Sequence, residues 1–335
     1  MSNYPSRTDI VTAMRNPQVS FKSNEIIGGS VIQKGSRIVQ YSGGYTTVFP
    51  FNKTNGSKVA VRLWIADIGD AKKRSLEISK YLEKLNNSYF AGFKYIDDAV
   101  LVNGTLHPIV LMDWVDGKTL KEYLNSNISD SSKVLSLADK FKQMVQYFHQ
   151  ENIAHGDLQH GNILIKNDGS IVAIDYDSMF IAPLNGMADT IKGLPGYQHP
   201  SRQINKLVNP SLDYFSELII YLSLLVFAEM PGLWNTYYET EDLLFSKEDF
   251  SNPNSSKLIL SCLKSPNKNI ADLTEELLVE LKADDIAKLR PLEDLLVDKR
   301  EITKENIFDK WDKQPNTALK KEVSLPNKNN ITDKF

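Results

Sequence analysis

The stretch that most constrains this chain runs from His155 to Asp177: HGDLQHGNILI, then KNDGS, then IVAIDYD. Asn162 to Lys166 and Ser170 to Ile174 are two apolar, β-branched runs. Asn167-Asp168-Gly169 separates them, which predicts a β-hairpin turning at Asp-Gly. With Asp168 and Gly169 as a two-residue loop, residue i pairs with residue 337 − i, so Asn162 falls opposite Asp175 at the open end. Directly opposed Cα atoms stand about 4.5–5.5 Å apart. Two hard oxygen ligands then converge, and Asp157 approaches them from the loop feeding the first strand. Such a donor set suits a Mg²⁺-phosphate centre.

Each of these residues also has an ordinary explanation, since Asp after a strand is commonly a turn residue and Asn before one caps a bend. Turn chemistry does not account for the whole order of H-x-D, four residues, N, and a hairpin ending in I-D. On these residues the chain resembles the protein-kinase superfamily. His155 to Asn162 is similar to the catalytic loop H-R-D-x-x-x-x-N, and Asp175-Tyr176-Asp177 to D-F-G. The resemblance implies a bilobal α+β fold, with a small antiparallel β N-lobe and a larger helical C-lobe.

Other segments extend the likeness over residues 35–295. Strand patterns at Arg37–Gln40, Thr46–Phe49 and Lys58–Trp64 surround a hairpin tip, Tyr41-Ser42-Gly43-Gly44-Tyr45. A glycine tip allows backbone N–H groups to approach phosphates, although Gly-Gly between strands is usually only a turn. Against G-x-G-x-x-G-x-V, Gly43 takes the second glycine and Val48 the valine, while Tyr41 and Thr46 replace the outer glycines.

Val59-Ala60-Val61-Arg62 resembles V-A-I-K with arginine in the lysine position. The resemblance implies that Ala60 roofs an adenine and Arg62 reaches its phosphates, and the swap is not conservative. A solvent-facing strand arginine is the plain alternative. Asp70 to Asn86 has helical spacing, with Ile78, Tyr81, Leu82 and Leu85 on one stripe. At roughly 100° per residue, Glu77 lies about 90° from the stripe centre and Glu83 about 150°. Glu77 is therefore the better candidate partner for Arg62, with a solvated surface charge as the alternative.

Ile109 to Gly117 is an apolar strand running into glycine, like an inter-lobe hinge. The likeness puts Met112 behind an adenine pocket, Asp113 and Val115 at the base, and Leu164 among the ATP-binding residues. Helical patterns follow at Thr119–Leu124 and Val134–Gln150. Gly193 to Ser201, GLPGYQHPS, resembles the G-T-P-x-Y-x-A-P-E end of an activation loop. Asp213 then leads into an apolar helix of the kind whose aspartate braces the catalytic loop.

The implied roles are Asp157 as proton acceptor, Asn162 and Asp175 as Mg²⁺ ligands, and Arg62 with the Gly43 tip on the ATP phosphates. The expected activity is γ-phosphate transfer to a protein hydroxyl, serine or threonine first. The alternatives are a pseudokinase that binds nucleotide or partners, favoured by Arg62 and the thinned glycine loop, and a small-molecule phosphotransferase. The Gly193–Pro200 segment argues against the latter. Gly156 replaces the arginine that usually meets an activation-loop phosphate, so phosphorylation of Ser178 or Thr190 is not expected to switch the chain on. Gln159, Leu194, Asp177 and Ser201 are further departures, and the first two leave the hydroxyl class open.

A length of 335 residues, 41% hydrophobic, supports a large core. The net charge of −3 argues against nucleic-acid binding, and one cysteine excludes an internal disulfide. The polar start MSNYPSRTDI lacks a signal-peptide core, and the run Leu218–Ala228 is shorter than the roughly 20 residues of a membrane span. A cytoplasmic location away from membranes is the expectation, and no oligomeric state follows. The expected organisation is an extension at 1–30, an N-lobe at 31–112, a C-lobe at 113–298 and a tail at 299–335. The tail carries nine Lys or Arg and six Asp or Glu, with Phe308 and Trp311 as candidate docking residues.

Overall fold

Two hairpins with clear turn chemistry organise the first lobe of the computed structural model, which describes residues 4–66, 69–191, 193–202 and 206–297. In chain order the small elements come first: α1 (Arg7–Arg15), α2 (Pro17–Ser20), β1 (Ser30–Val31), β2 (Gln33–Lys34), β3 (Arg37–Ile38) and β4 (Tyr41–Ser42). The main strands are β5 (Thr46–Asn52), β6 (Lys58–Trp64), β7 (Phe93–Val102) and β8 (Thr105–Asp113). Asn103 and Gly104, both at positive φ, close β7 onto β8 as a two-residue turn. The antiparallel order is β1-β5-β6-β8-β7, with β4 also on β5.

In β6, KVAVRLW, every residue after Lys58 is buried. A strand normally alternates, and residues 7–26 explain the exception. Ile10, Met14, Phe21 and Ile26 form one core with Val59, Val61 and Leu63. Phe49, Phe51 and Ile109 from the neighbouring strands join it. The segment to which the sequence assigned no role therefore covers one face of the sheet. Ala60, Arg62 and Trp64 are left for the opposite face.

Helix α3 (Ala71–Leu85) joins β6 to β7 and buries Ala71, Arg74, Ser75, Ile78, Ser79 and Leu82. This spacing of three and four gives one inward stripe.

The second lobe begins with β9 (Gly117–Thr119), α4 (Leu120–Asn127) and α5 (Ser131–Gln150). Strands β10 (Ile163–Lys166) and β11 (Ile171–Ala173) form a small sheet with β9. Helix α6 (Tyr214–Glu229) is buried continuously from Phe215 to Ala228. With the preceding 3₁₀ turn it spans Pro210–Glu229, 20 residues, so it is longer than the apolar run alone and by length and composition would cross a membrane. Inside the protein 89% of its most apolar window is buried, as in a central core helix. The short α7 (Trp234–Tyr237), α8 (Lys247–Ser251) and α9 (Lys257–Leu263) follow, then α10 (Lys268–Glu280) and α11 (Leu292–Leu295). The architecture is bilobal α+β.

Residues 1–295 form one unit and 296–335 another. Phe308 and Trp311 lie outside the described residues.

Candidate active site

A cavity of about 270 Å³ is built largely by strand register. Val48 stands opposite Arg62, and Ala60 opposite Met112. These four residues line the cavity with Asp113, Val115, Leu164, Asn162 and Asp175. Tyr41 and Thr46, which replace the outer glycines of the tip, also line it, and Trp114 and Ile174 complete the lining without having been assigned a role from the sequence. Gly43 is absent from it, and its N–H donates to Thr46 O at 3.0 Å in the tip.

The hairpin beneath the cavity does form, one residue out of the expected register. Ile163 pairs with Ala173, Leu164 with Val172 and Ile165 with Ile171, so partners sum to 336 rather than 337. The loop has three residues: Gly169, at φ +76°, donates to Lys166 O at 2.8 Å. Glycine in the left-handed region is what a three-residue hairpin loop favours. Asn162 O consequently accepts from Ile174 N–H at 2.9 Å, and Asp175 lies one residue beyond. Its own φ of +69° breaks the strand alternation, and its side chain still shares the cavity with Asn162.

Asn162 Nδ2 donates to Asp157 O at 2.8 Å and to Asp157 Oδ2 at 3.1 Å, leaving its Oδ1 as the free acceptor. Burial, aided by the nearby Asp175 charge and opposed by His155, pushes the Asp157 carboxyl up to about 6. The loop carrying Asp157 is clamped from α6. Asp213 accepts Gly156 N–H at 2.9 Å and also His155 N–H. His155 Nε2 in turn bonds Ile174 O at 2.9 Å, joining the loop to the hairpin. Tyr176 is fully buried, and its hydroxyl accepts Ala91 N–H at 2.8 Å and donates to Ala173 O at 2.7 Å.

Arg62 is 2% exposed, and its partners are not on α3. Its Nη1 lies 3.1 Å from Asp175 Oδ1 and its Nη2 2.6 Å from Asp177 Oδ1. Glu77, the partner suggested by helix spacing, instead pairs with Lys80 at 3.1 Å. Within α3, Glu77 lies off the inward stripe that Arg74 occupies. Arg74 donates to Met179 O at 3.2 Å and Ala188 O at 2.9 Å, fastening the helix to the segment after Asp177.

The model of the protein kinase domain matches residues 42–283. The chain belongs to the protein kinase family. One relative is serine/threonine-protein kinase ppk34 of Schizosaccharomyces pombe, 28% identical over 149 residues, covering 41% of this chain and 41% of that protein. Another is serine/threonine-protein kinase PAK 1 of Mus musculus, 22% identical over 218 residues, covering 60% of this chain and 39% of that protein. The chain thus spans about two-fifths of the length of these curated relatives.

Set against the family pattern, the segment after Asp177 is tied down in a way that sequence reading missed. Gly156 stands where family members carry arginine, and no side chain fits there. Its φ is +80°, and a Cβ would lie 2.1 Å from Ser178 O. A different arginine ties the segment down. Arg202, 2% exposed, makes a two-pronged pair with Asp189 at 2.9 and 3.0 Å and donates to Gly156 O at 2.6 Å. The only sequence signal was an arginine directly after the HPS that ends the segment. Gln159, in the usual lysine position, accepts Gly161 N–H at 2.9 Å and shapes the loop.

Proposed function

We propose that this kinase uses ATP and Mg²⁺ to phosphorylate a protein hydroxyl, serine or threonine first. The observation that carries the reading is the meeting of Asn162 and Asp175 at one end of a cavity otherwise lined mainly by apolar groups, with Asp157 bonded to Asn162. Val48, Ala60, Met112 and Leu164 suit a flat base, and Arg62 suits its phosphates. Asn162 Oδ1 and the Asp175 carboxylate are hard oxygens suited to Mg²⁺, which when bound neutralises triphosphate charge.

In this reading Asp157 Oδ1 faces the acceptor hydroxyl, while Asn162 holds Oδ2. As the hydroxyl oxygen bonds the γ-phosphorus, its proton passes to Asp157. The bond from phosphorus to the β,γ-bridging oxygen breaks, and ADP leaves with that electron pair. A second cavity, about 440 Å³, adjoins the catalytic loop at His160 and Gly161 and the later segment at Leu194, and offers room for a polypeptide. The names of the relatives favour a protein substrate.

One observation favours a nucleotide-binding pseudokinase instead: Arg62 is already matched by two carboxylates. Thermal unfolding with ATP and Mg²⁺, together and apart, tests binding. Transfer from γ-labelled ATP, compared with Asp157→Asn and Asp175→Asn, tests chemistry. Transfer lost in both variants supports the kinase reading. Stabilisation by ATP without any transfer favours the pseudokinase.

A further inference from the structure

Besides His155 Nδ1, two buried polar atoms in or against the catalytic loop have no hydrogen-bond partner among the described residues. They are Asp157 Oδ1, an acceptor, and Gln198 Nε2, a donor. Gly193 lies against both: a Cβ there would stand 2.2 Å from Oδ1 and 2.8 Å from Nε2. The two atoms are thus at most about 5 Å apart, a gap that one hydroxyl oxygen spans by accepting from the amide and donating to the carboxylate. Any larger residue at position 193 would close that gap.

The amide is not free to turn. Arg202 has only donors, and its Nη1 donates to Gln198 Oε1. The planar amide must therefore direct Nε2 to the other side. Arg202 is itself fixed by Asp189 and by Gly156 O, and Gln198 is 3% exposed. A chain of buried contacts runs from Asp189 through Arg202 and Gln198 to the edge of Asp157. No part of the mechanism above uses Gln198.

We propose that Gln198 is a positioning residue of the transfer site, orienting the Asp157 carboxylate through one hydroxyl oxygen bonded to both side chains. In the resting protein that oxygen is a water, and the acceptor hydroxyl takes its place during turnover. Burial makes the arrangement worthwhile: each unpaired polar atom is costly, and one shared oxygen satisfies both. Asp157 then has both oxygens held, Oδ2 by Asn162 and Oδ1 by the bridge. The proposal rests on the kinase reading for its catalytic consequence only.

Two variants and a crystal structure of the full chain test it. Gln198→Glu keeps the acceptor for Arg202 but removes the donor facing Asp157, and Gln198→Met removes both. High-resolution crystals of the wild type should show an oxygen within hydrogen-bond reach of Asp157 Oδ1 and Gln198 Nε2, lost in Gln198→Glu. In phosphate transfer to myelin basic protein, Gln198→Glu should lower kcat about tenfold with the KM for ATP unchanged. Gln198→Met should do the same if it folds. Arg202 keeps its partner in Gln198→Glu, so a purely structural Gln198 would leave kcat unmoved. Wild-type crystals without a shared oxygen, or a Gln198→Glu kcat within twofold of wild type, overturn the proposal. A shared oxygen lost in the variant, in a wild type that transfers no phosphate, upholds the positioning and removes the kinase reading instead.

Discussion

Arg62 Nη2 lies 2.6 Å from Asp177 Oδ1, so the cation of β6 is matched by the activation segment rather than by α3. Helix and segment are joined separately, through Arg74 and the carbonyls of Met179 and Ala188. Both contacts meet one short stretch of chain. Strand, helix and segment are therefore assembled together, and Asp177 is central to it.

Replacing Asp177 with glycine, the residue usual in the family motif, should destabilise the protein. Arg62 would keep only the half-exposed Asp175, and breaking a buried pair from one side costs about 3 kcal/mol. Thermal unfolding should show a fall of roughly 4–5 °C. Glu77→Ala, which removes only a surface contact to Lys80, should change stability by less than about 0.5 kcal/mol.

Restoring arginine at position 156 should damage the fold rather than add control. The added Cβ would meet Ser178 O, and the left-handed backbone penalises any side chain. Expression and far-UV circular dichroism of Gly156→Arg check this. Conversely, Ser178→Ala with Thr190→Ala should leave phosphate transfer within about threefold of wild type, a ratio below 1 kcal/mol. Ser178 is only 4% exposed, and the position that would receive its phosphate holds Gly156.

Asp189→Ala should cost about 3–5 kcal/mol in urea unfolding, because it leaves the Arg202 guanidinium buried and unmatched. Adding Arg202→Met to that variant should recover much of the loss, since the unpaired charge disappears with it. A double variant less stable than Asp189→Ala alone would count against this account.

Stability should fall as pH rises from about 6.5 to 9. Burial alone would push His149 down, but Glu217 and Glu293 outweigh it and hold the imidazole up to about 9. Their oxygens lie 2.9 and 2.8 Å from its two ring nitrogens. A folded value above the unfolded one contributes fully below about 6.5 and is lost through 9. Burial also pushes Glu217 up to about 7, against the pull of His149, which carries the same sign at lower pH. Melting temperatures measured across this range should decline in the wild type and flatten in His149→Gln.

Much of the site was legible because it depends on local spacing. The separation of Asp157 from Asn162, and the turn that brings Asp175 back, are set within some twenty residues of chain. Periodicity likewise located α3 and α5, and an unbroken apolar run located α6. The hairpin register was missed by one because a glycine after Asp168 also suits a three-residue loop, and the strand register with the hydrogen bond from Gly169 to Lys166 O decides for the latter. The left-handed backbone at Asp175 then compensated for the slip.

Motif order and strand alternation sufficed for the bilobal fold and for most of the cavity wall. Charge pairing was different. The candidates weighed for Arg62 lay on α3, and choosing Asp177 over Glu77 required knowing which face of that helix meets the sheet. The same holds for Arg202 with Asp189 and for residues 7–26 over one face of the first sheet. Contacts between distant segments arise from how packed layers come to rest against one another, and residue spacing along one segment carries no record of that.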